Sequence, residues 1–96
     1  MAIEYRIALH ARTTSGFETI GEFFIGNDRQ AANQLFKTLQ GSTDHLEDGV
    51  LLMELREINR NLPFDIQMIH CTLNEVAENC RLITKNQFKE LNLKEL

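Results

Sequence analysis

Twice along this chain the hydrophobic period changes from two to about 3.6, first at Asn27 and again at Thr72, 45 residues later. A chain with that rhythm must pair strands before each helix and then cover them. Residues 3–12, IEYRIALHAR, alternate strictly, with Ile3, Tyr5, Ile7, Leu9 and Ala11 on one side and Glu4, Arg6, Ala8, His10 and Arg12 on the other. That is the pattern of a half-buried strand. TTSG follows as a turn, and FETIGEFFIG supplies the aromatic and β-branched residues of a second strand, so the opening reads as a hairpin. Gly21 marks a bulge or a close approach. Phe23 and Phe24 point oppositely, so at least one belongs to the core.

The first helix is expected from Asn27, with Gln30 three positions on in the layout of a capping box and Asp28 at the positive end of the helix dipole. Ala31, Ala32, Leu35, Phe36 and Leu39 form its apolar stripe, and Gly41 closes it. STDHLEDG, residues 42–49, is a polar, acidic connection.

The second half repeats the order. In VLLMELREI, Leu51, Met53 and Leu55 share one face and Val50, Leu52, Glu54 and Arg56 the other, so this strand is expected to be buried on both faces at its start and wet at its end. After the NRN turn and Pro63, Phe64, Ile66, Met68 and His70 alternate with Asp65, Gln67, Ile69 and Cys71. Thr72 and Glu75 form a second capping box, and Leu73, Val76, Ala77 and Cys80 continue at helical spacing. Beyond residue 81 the helix either continues or breaks at the β-branched pair Ile83 and Thr84, with Thr84 and Gln87 as a third capping box. The break is the favoured reading, and residues 94–96 are expected to fray.

These elements predict one α+β domain over residues 1–96, made of two tandem ββα units at residues 1–41 and 49–93. The units form a four-stranded, mostly antiparallel sheet with both helices packed on one face. Residues 45 apart match only loosely, as in Phe23 with Met68, Phe24 with Ile69 and Ala32 with Ala77, so the repeat is one of architecture more than of sequence.

Ninety-six residues support a single core and leave much surface exposed, which makes a homodimer an expectation. Apolar residues at 43% and charged residues at 25% fit a folded, soluble chain. A net charge of -4 and ten scattered basic residues argue against nucleic acid as partner. Charges interrupt the N-terminal apolar stretch, and no run is long enough to cross a bilayer, so neither a secretory leader nor a membrane partner is expected. The cytoplasm is the expected compartment, with the two cysteines as free thiols.

MIHCTLNEVAENC, residues 68–80, is the most chemical-looking stretch. On a strand, however, His70 and Cys71 point to opposite faces, and Cys80 falls on a helix stripe. No zinc spacing results, and no metal or cofactor is expected. Cys71 does precede a helix N-terminus, where a thiol's pKa can fall. The alternative function is accordingly a small cysteine-dependent enzyme or redox-active protein using Cys71, with His10 as the base that folding would have to bring near. TDHLED, around His45, lacks the ligand alternation and the central glycine of a calcium loop.

With the helices on one face, the other carries Glu4, Arg6, Ala8, His10, Arg12, Glu18, Ile20, Glu22, Phe24, Asp65, Gln67 and Ile69. The plain expectation is a solvated surface with cross-strand ion pairs. The functional one is an interface anchored by Ile20, Phe24 and Ile69 with Arg6. The leading expectation is thus a small non-enzymatic binding or regulatory module whose partner is protein, including a second copy of itself.

Overall fold

A computed structural model describes residues 3–43 and 50–95. The element order is β1 (Ile3–Thr13), β2 (Gly16–Gly26), α1 (Arg29–Thr38), β3 (Leu51–Asn59), β4 (Leu62–Cys71) and α2 (Leu73–Glu95). The strands form one antiparallel sheet in the order β2-β1-β3-β4, and the fold is α+β as expected. The two helices are unequal, 10 and 23 residues long.

Both hairpins close with two residues. In the second, Arg60 and Asn61 both have positive φ, at 56° and 66°, the backbone of a type I′ turn that matches the twist of the strands it joins. In the first, the strain falls on Gly16, with φ of 119° just past the turn.

Odd-numbered residues of β1 and β3 face the helices. Tyr5, Ile7, Met53 and Leu55 pack there against Ala32, Leu35 and Phe36 of α1 and Val76 and Ile83 of α2. Leu52, Met53, Glu54 and Leu55 are all buried, so β3 is covered on both sides at its start and opens toward its end, as its apolar run implies.

Three bulges change which residues share a face. One skips Ile25; another skips Ile20, beside Gly21, and brings Thr19 opposite His10 and Glu18 opposite Ala11. The third, between Leu55 and Arg56, skips Ile66. Glu18 therefore leaves the open face. Gln67 and Ile69 also move: Ile69 pairs with Met53 and is buried under the helices, and Gln67 Nε2 donates to Asn33 Oδ1 of α1 at 3.2 Å. Met68 and His70 take the open face in their place, while Asp65, on the far side of the bulge, keeps it opposite Arg56.

The helix ends bring further corrections. The first helix is capped by Asp28, whose carboxylate accepts from the backbone N–H of Gln30 at 2.9 Å and of Ala31 at 3.3 Å. Asn27 instead donates to the Ile3 carbonyl at 2.7 Å, tying the helix entry to β1. α1 ends at Thr38, and Gly41 serves a close approach: Ser42 bridges to His70, and a Cβ at Gly41 would lie 3.0 Å from the His70 carbonyl and from Ile69. The Thr72 capping box forms as its spacing implies, Thr72 N–H donating to Glu75 at 2.9 Å and Glu75 N–H to Thr72 Oγ1 at 3.2 Å. α2 then runs without a break through Ile83 and Thr84. Ile83 is fully buried, and anchoring it in the core outweighs the few tenths of a kcal/mol by which a β-branched residue disfavours a helix. Gln87 donates to the Phe24 carbonyl of β2 instead of capping a new helix.

Candidate functional site

The open face of the sheet carries the densest polar constellation among the described residues. β1 places His10 there, β3 places Glu54 and Arg56, the β2 bulge delivers Thr19, and the β4 bulge preserves Asp65. His10 and Glu54 are buried although no helix covers them. His10 Nε2 lies 2.9 Å from Glu54 Oε1, and Arg56 Nε donates to the same oxygen at 2.7 Å. Thr19 Oγ1 lies 2.9 Å from His10 Nδ1. A carboxylate only accepts, so Nε2 is the donor toward Glu54, and on a neutral ring Nδ1 accepts from the Thr19 hydroxyl. Asp65 Oδ1 is 3.7 Å from Arg56 Nε and completes the cluster.

The two carboxyls are set apart electrostatically. Burial alone would push Glu54 up, but hydrogen bonds with Asp65, His10 and Arg56 outweigh it and hold this carboxyl below the ordinary range. Asp65 is raised, first by its hydrogen bond to Glu54 and then by desolvation.

Beside this centre, Arg6 donates to Glu4 at 2.8 Å and to Glu22 at 2.5 Å, and the Arg12 guanidinium lies 5.2 Å from the Phe17 ring centroid. The apolar residues around it are open: Ile20 is 60% exposed, Phe24 54%, Phe17 44% and Met68 43%. The face is thus a charged centre whose partners lie within the chain, bordered by exposed apolar side chains.

Hydroxyl, imidazole and carboxylate stand in the order of a nucleophilic triad. Arg56 nevertheless neutralises the carboxylate that would have to stabilise an imidazolium, and Thr19 sits on an exposed edge strand. The chemistry fits a structural polar network better.

Cys71 and His10 do not come together. Cys71 faces the helices from β4 and His10 faces outward from β1. The Cys71 thiol donates to the Gln40 carbonyl at 3.4 Å, and burial, with Glu75 adding to it, pushes its pKa up to about 11. Proximity to the α2 N-terminus does not overcome that desolvation. Cys80 is raised by burial as well.

Asn79 was not among the residues singled out from sequence. It is fully buried in α2, where its Nδ2 donates to the Gln40 carbonyl and its Oδ1 accepts from the Gln40 N–H, both at 2.7 Å. It thereby satisfies both backbone groups of a residue that belongs to no helix or strand. Glu54 and Thr19 were likewise not foreseen as partners of His10; the signal was a glutamate inside the doubly buried part of an apolar strand.

Among the described residues no group of three or more His, Cys, Asp or Glu side chains could hold a metal ion, and no helix is long and apolar enough to cross a membrane. Asp44, His45, Glu47 and Asp48 lie outside the described residues. Comparison with models of known families, with curated proteins and with solved structures finds no match to this chain.

Proposed function

We propose that this protein is a small non-enzymatic binding module that acts as a homodimer, two copies meeting through their open sheet faces. The observation that carries this reading is the composition of that face: Ile20, Phe24, Phe17 and Met68 are exposed around a charged centre already partnered within one chain. Covering such a face leaves no charge newly unpaired, the usual reason a charged surface resists burial. The same patch turned on itself is an isologous contact. Ile20 and Phe24 are its anchors, and Arg6, held between Glu4 and Glu22, stands beside Phe24. Light scattering on the size-separated protein at micromolar concentration should give about 22 kDa, twice the chain mass. Phe24→Asp should give the single-chain mass with an unchanged circular dichroism spectrum, and a wild-type protein of single-chain mass would overturn the reading.

Two tandem ββα units are the architecture in which this module is best understood. The strand order β2-β1-β3-β4 supports it, since a two-fold between β1 and β3 exchanges the hairpins. A circular permutant starting at β3, with α2 linked to β1, keeps both units whole and should unfold cooperatively near native stability; a permutant that does not fold would count against it. The two free cysteines suit a reducing, cytoplasmic setting.

A further inference from the structure

α2 has a second apolar stripe besides the one it buries. Val76, Asn79 and Ile83 face the core, while Leu73, Ala77, Cys80, Thr84 and Phe88 follow one another at spacings of four, three, four and four residues along an adjacent face. Leu73 is 73% exposed and Phe88 65%, the most exposed large apolar residues described. Between them Ala77, Cys80, Arg81, Thr84, Lys85 and Phe88 line a shallow groove. The stripe spans about 22 Å of helix at 1.5 Å per residue.

We infer that this stripe is a second self-association surface, on which α2 packs antiparallel against α2 of another copy. The sequence of the stripe is close to palindromic in character. A two-fold axis passing between Cys80 and Arg81 exchanges Leu73 with Phe88, Ala77 with Thr84 and Cys80 with Arg81, so large apolar side chains meet at each end, and the small Ala77, Cys80 and Thr84 leave room near the axis for the Arg81 stem. Small central residues let two helices approach closely, and the three-four spacing is that of a coiled-coil seam. Charge selects the direction. Glu75 and Glu78 lie in the N-terminal half, and Arg81, Lys85, Lys89, Glu90, Lys94 and Glu95 beyond the midpoint; Glu78 and Arg81 pair with each other at 2.6 Å within the helix, which leaves Glu75 to face Lys85 and Lys89 of a partner. Antiparallel pairing brings Glu75 of each helix toward Lys85 and Lys89 of the other and opposes the helix dipoles, whereas parallel pairing sets like charges side by side. The occupant that matches this pattern is therefore the same helix reversed.

The surface is distinct from the open sheet face, being built on α2, and it goes beyond the homodimer proposed above. Being one helix stripe it is the weaker contact, so it joins dimers as concentration rises. Two kinds of isologous contact on one chain link four copies or more.

The test is light scattering from micromolar to several hundred micromolar, together with cross-linking by a short bis-maleimide. Cys80, half-buried at the edge of the core, lies beside the axis and close to its counterpart, while Cys71 is buried. The expected result is a wild-type mass rising above that of the dimer, with a cross-linked pair that Cys80→Ser abolishes. Phe88→Asp, at a side chain already exposed to water, should lose both the cross-link and the rise while remaining a dimer. Phe24→Asp should keep the Cys80 cross-link at high concentration although its sheet contact is gone. A mass fixed at the dimer with no Cys80 cross-link would overturn this inference and leave the sheet contact standing. Loss of association in Phe88→Asp but not in Phe24→Asp would overturn the sheet contact and leave this one.

Discussion

Asn79 shows how much one side chain can hold. Its amide pairs both backbone groups of Gln40 and adds contacts to Met53 Sδ at 3.5 Å and Cys71 Sγ at 3.7 Å. Asn79→Ala would leave the part-buried Gln40 N–H without its partner and its carbonyl with only the weak Cys71 thiol donor, and should lower stability by about 2 kcal/mol in urea unfolding. A loss under about 0.5 kcal/mol would mean that water replaces the amide at little cost. The carboxyl pair makes a pH-dependent counterpart. Glu54 is held below its ordinary range, so it stabilises the fold above that range and the contribution is lost as pH falls through its lowered value. Glu54→Gln should therefore be less stable than wild type at neutral pH, with the gap closing in acid. Asp65 has the opposite sign: raised in the fold, it costs stability while ionised. Asp65→Asn should gain a few tenths of a kcal/mol at neutral pH, small because this carboxyl is 61% exposed, and the gain should vanish as pH falls and the wild-type group takes up its proton. Parallel urea titrations across the acid range read both signs.

At the scale of elements, turn and capping chemistry can be tuned separately from the core. Arg60 holds φ of 56° in a turn that favours Asn or Gly, so Arg60→Asn should raise the urea midpoint, by up to about 1 kcal/mol in stability. Gly41→Ala should do the reverse, costing about 2 kcal/mol, because the added methyl meets the His70 carbonyl and Ile69 at 3.0 Å. The sequence showed both hairpins, both helices and the Thr72 capping box, because each rests on local spacing. It misplaced Glu18 because of the bulge at Ile20, and Gln67 and Ile69 because of the bulge at Ile66; each inserts one residue and reverses the alternation across it, and apart from Gly21 beside the first, nothing in the local sequence betrays them. The single helix Leu73–Glu95 was obscured for a different reason: Ile83 disfavours helix locally but anchors the core, a long-range fact. Of the open-face network, the alternation placed His10 and Asp65 on that face and put Glu54 and Arg56 together on one face of β3, whereas the contact of Thr19 with His10 depends on a bulge and that of Glu54 on the register of β1 against a strand 44 residues away.

For the whole molecule, size and surface meet in one quantity, the dependence of stability on concentration. A 96-residue chain buries a smaller share of its surface than a larger domain does, and among the described residues ten large apolar side chains are exposed. If covering Ile20 and Phe24 in a second copy is part of the folded state, native dimer must separate as it unfolds, and dilution favours the unfolded chains by mass action. For a dimer that unfolds directly to two chains, each tenfold increase in protein concentration adds about 1.4 kcal/mol of apparent stability per dimer. The urea midpoint of the wild type should therefore climb steadily across the micromolar range. That of Phe24→Asp should lie lower and stay flat there, since its stability comes from one chain's core alone. Equal midpoints at every concentration in the wild type would mean that each chain folds independently and that the open face adds nothing to its stability. A slope retained in Phe24→Asp but lost in Phe88→Asp would move the stabilising contact from the sheet to α2.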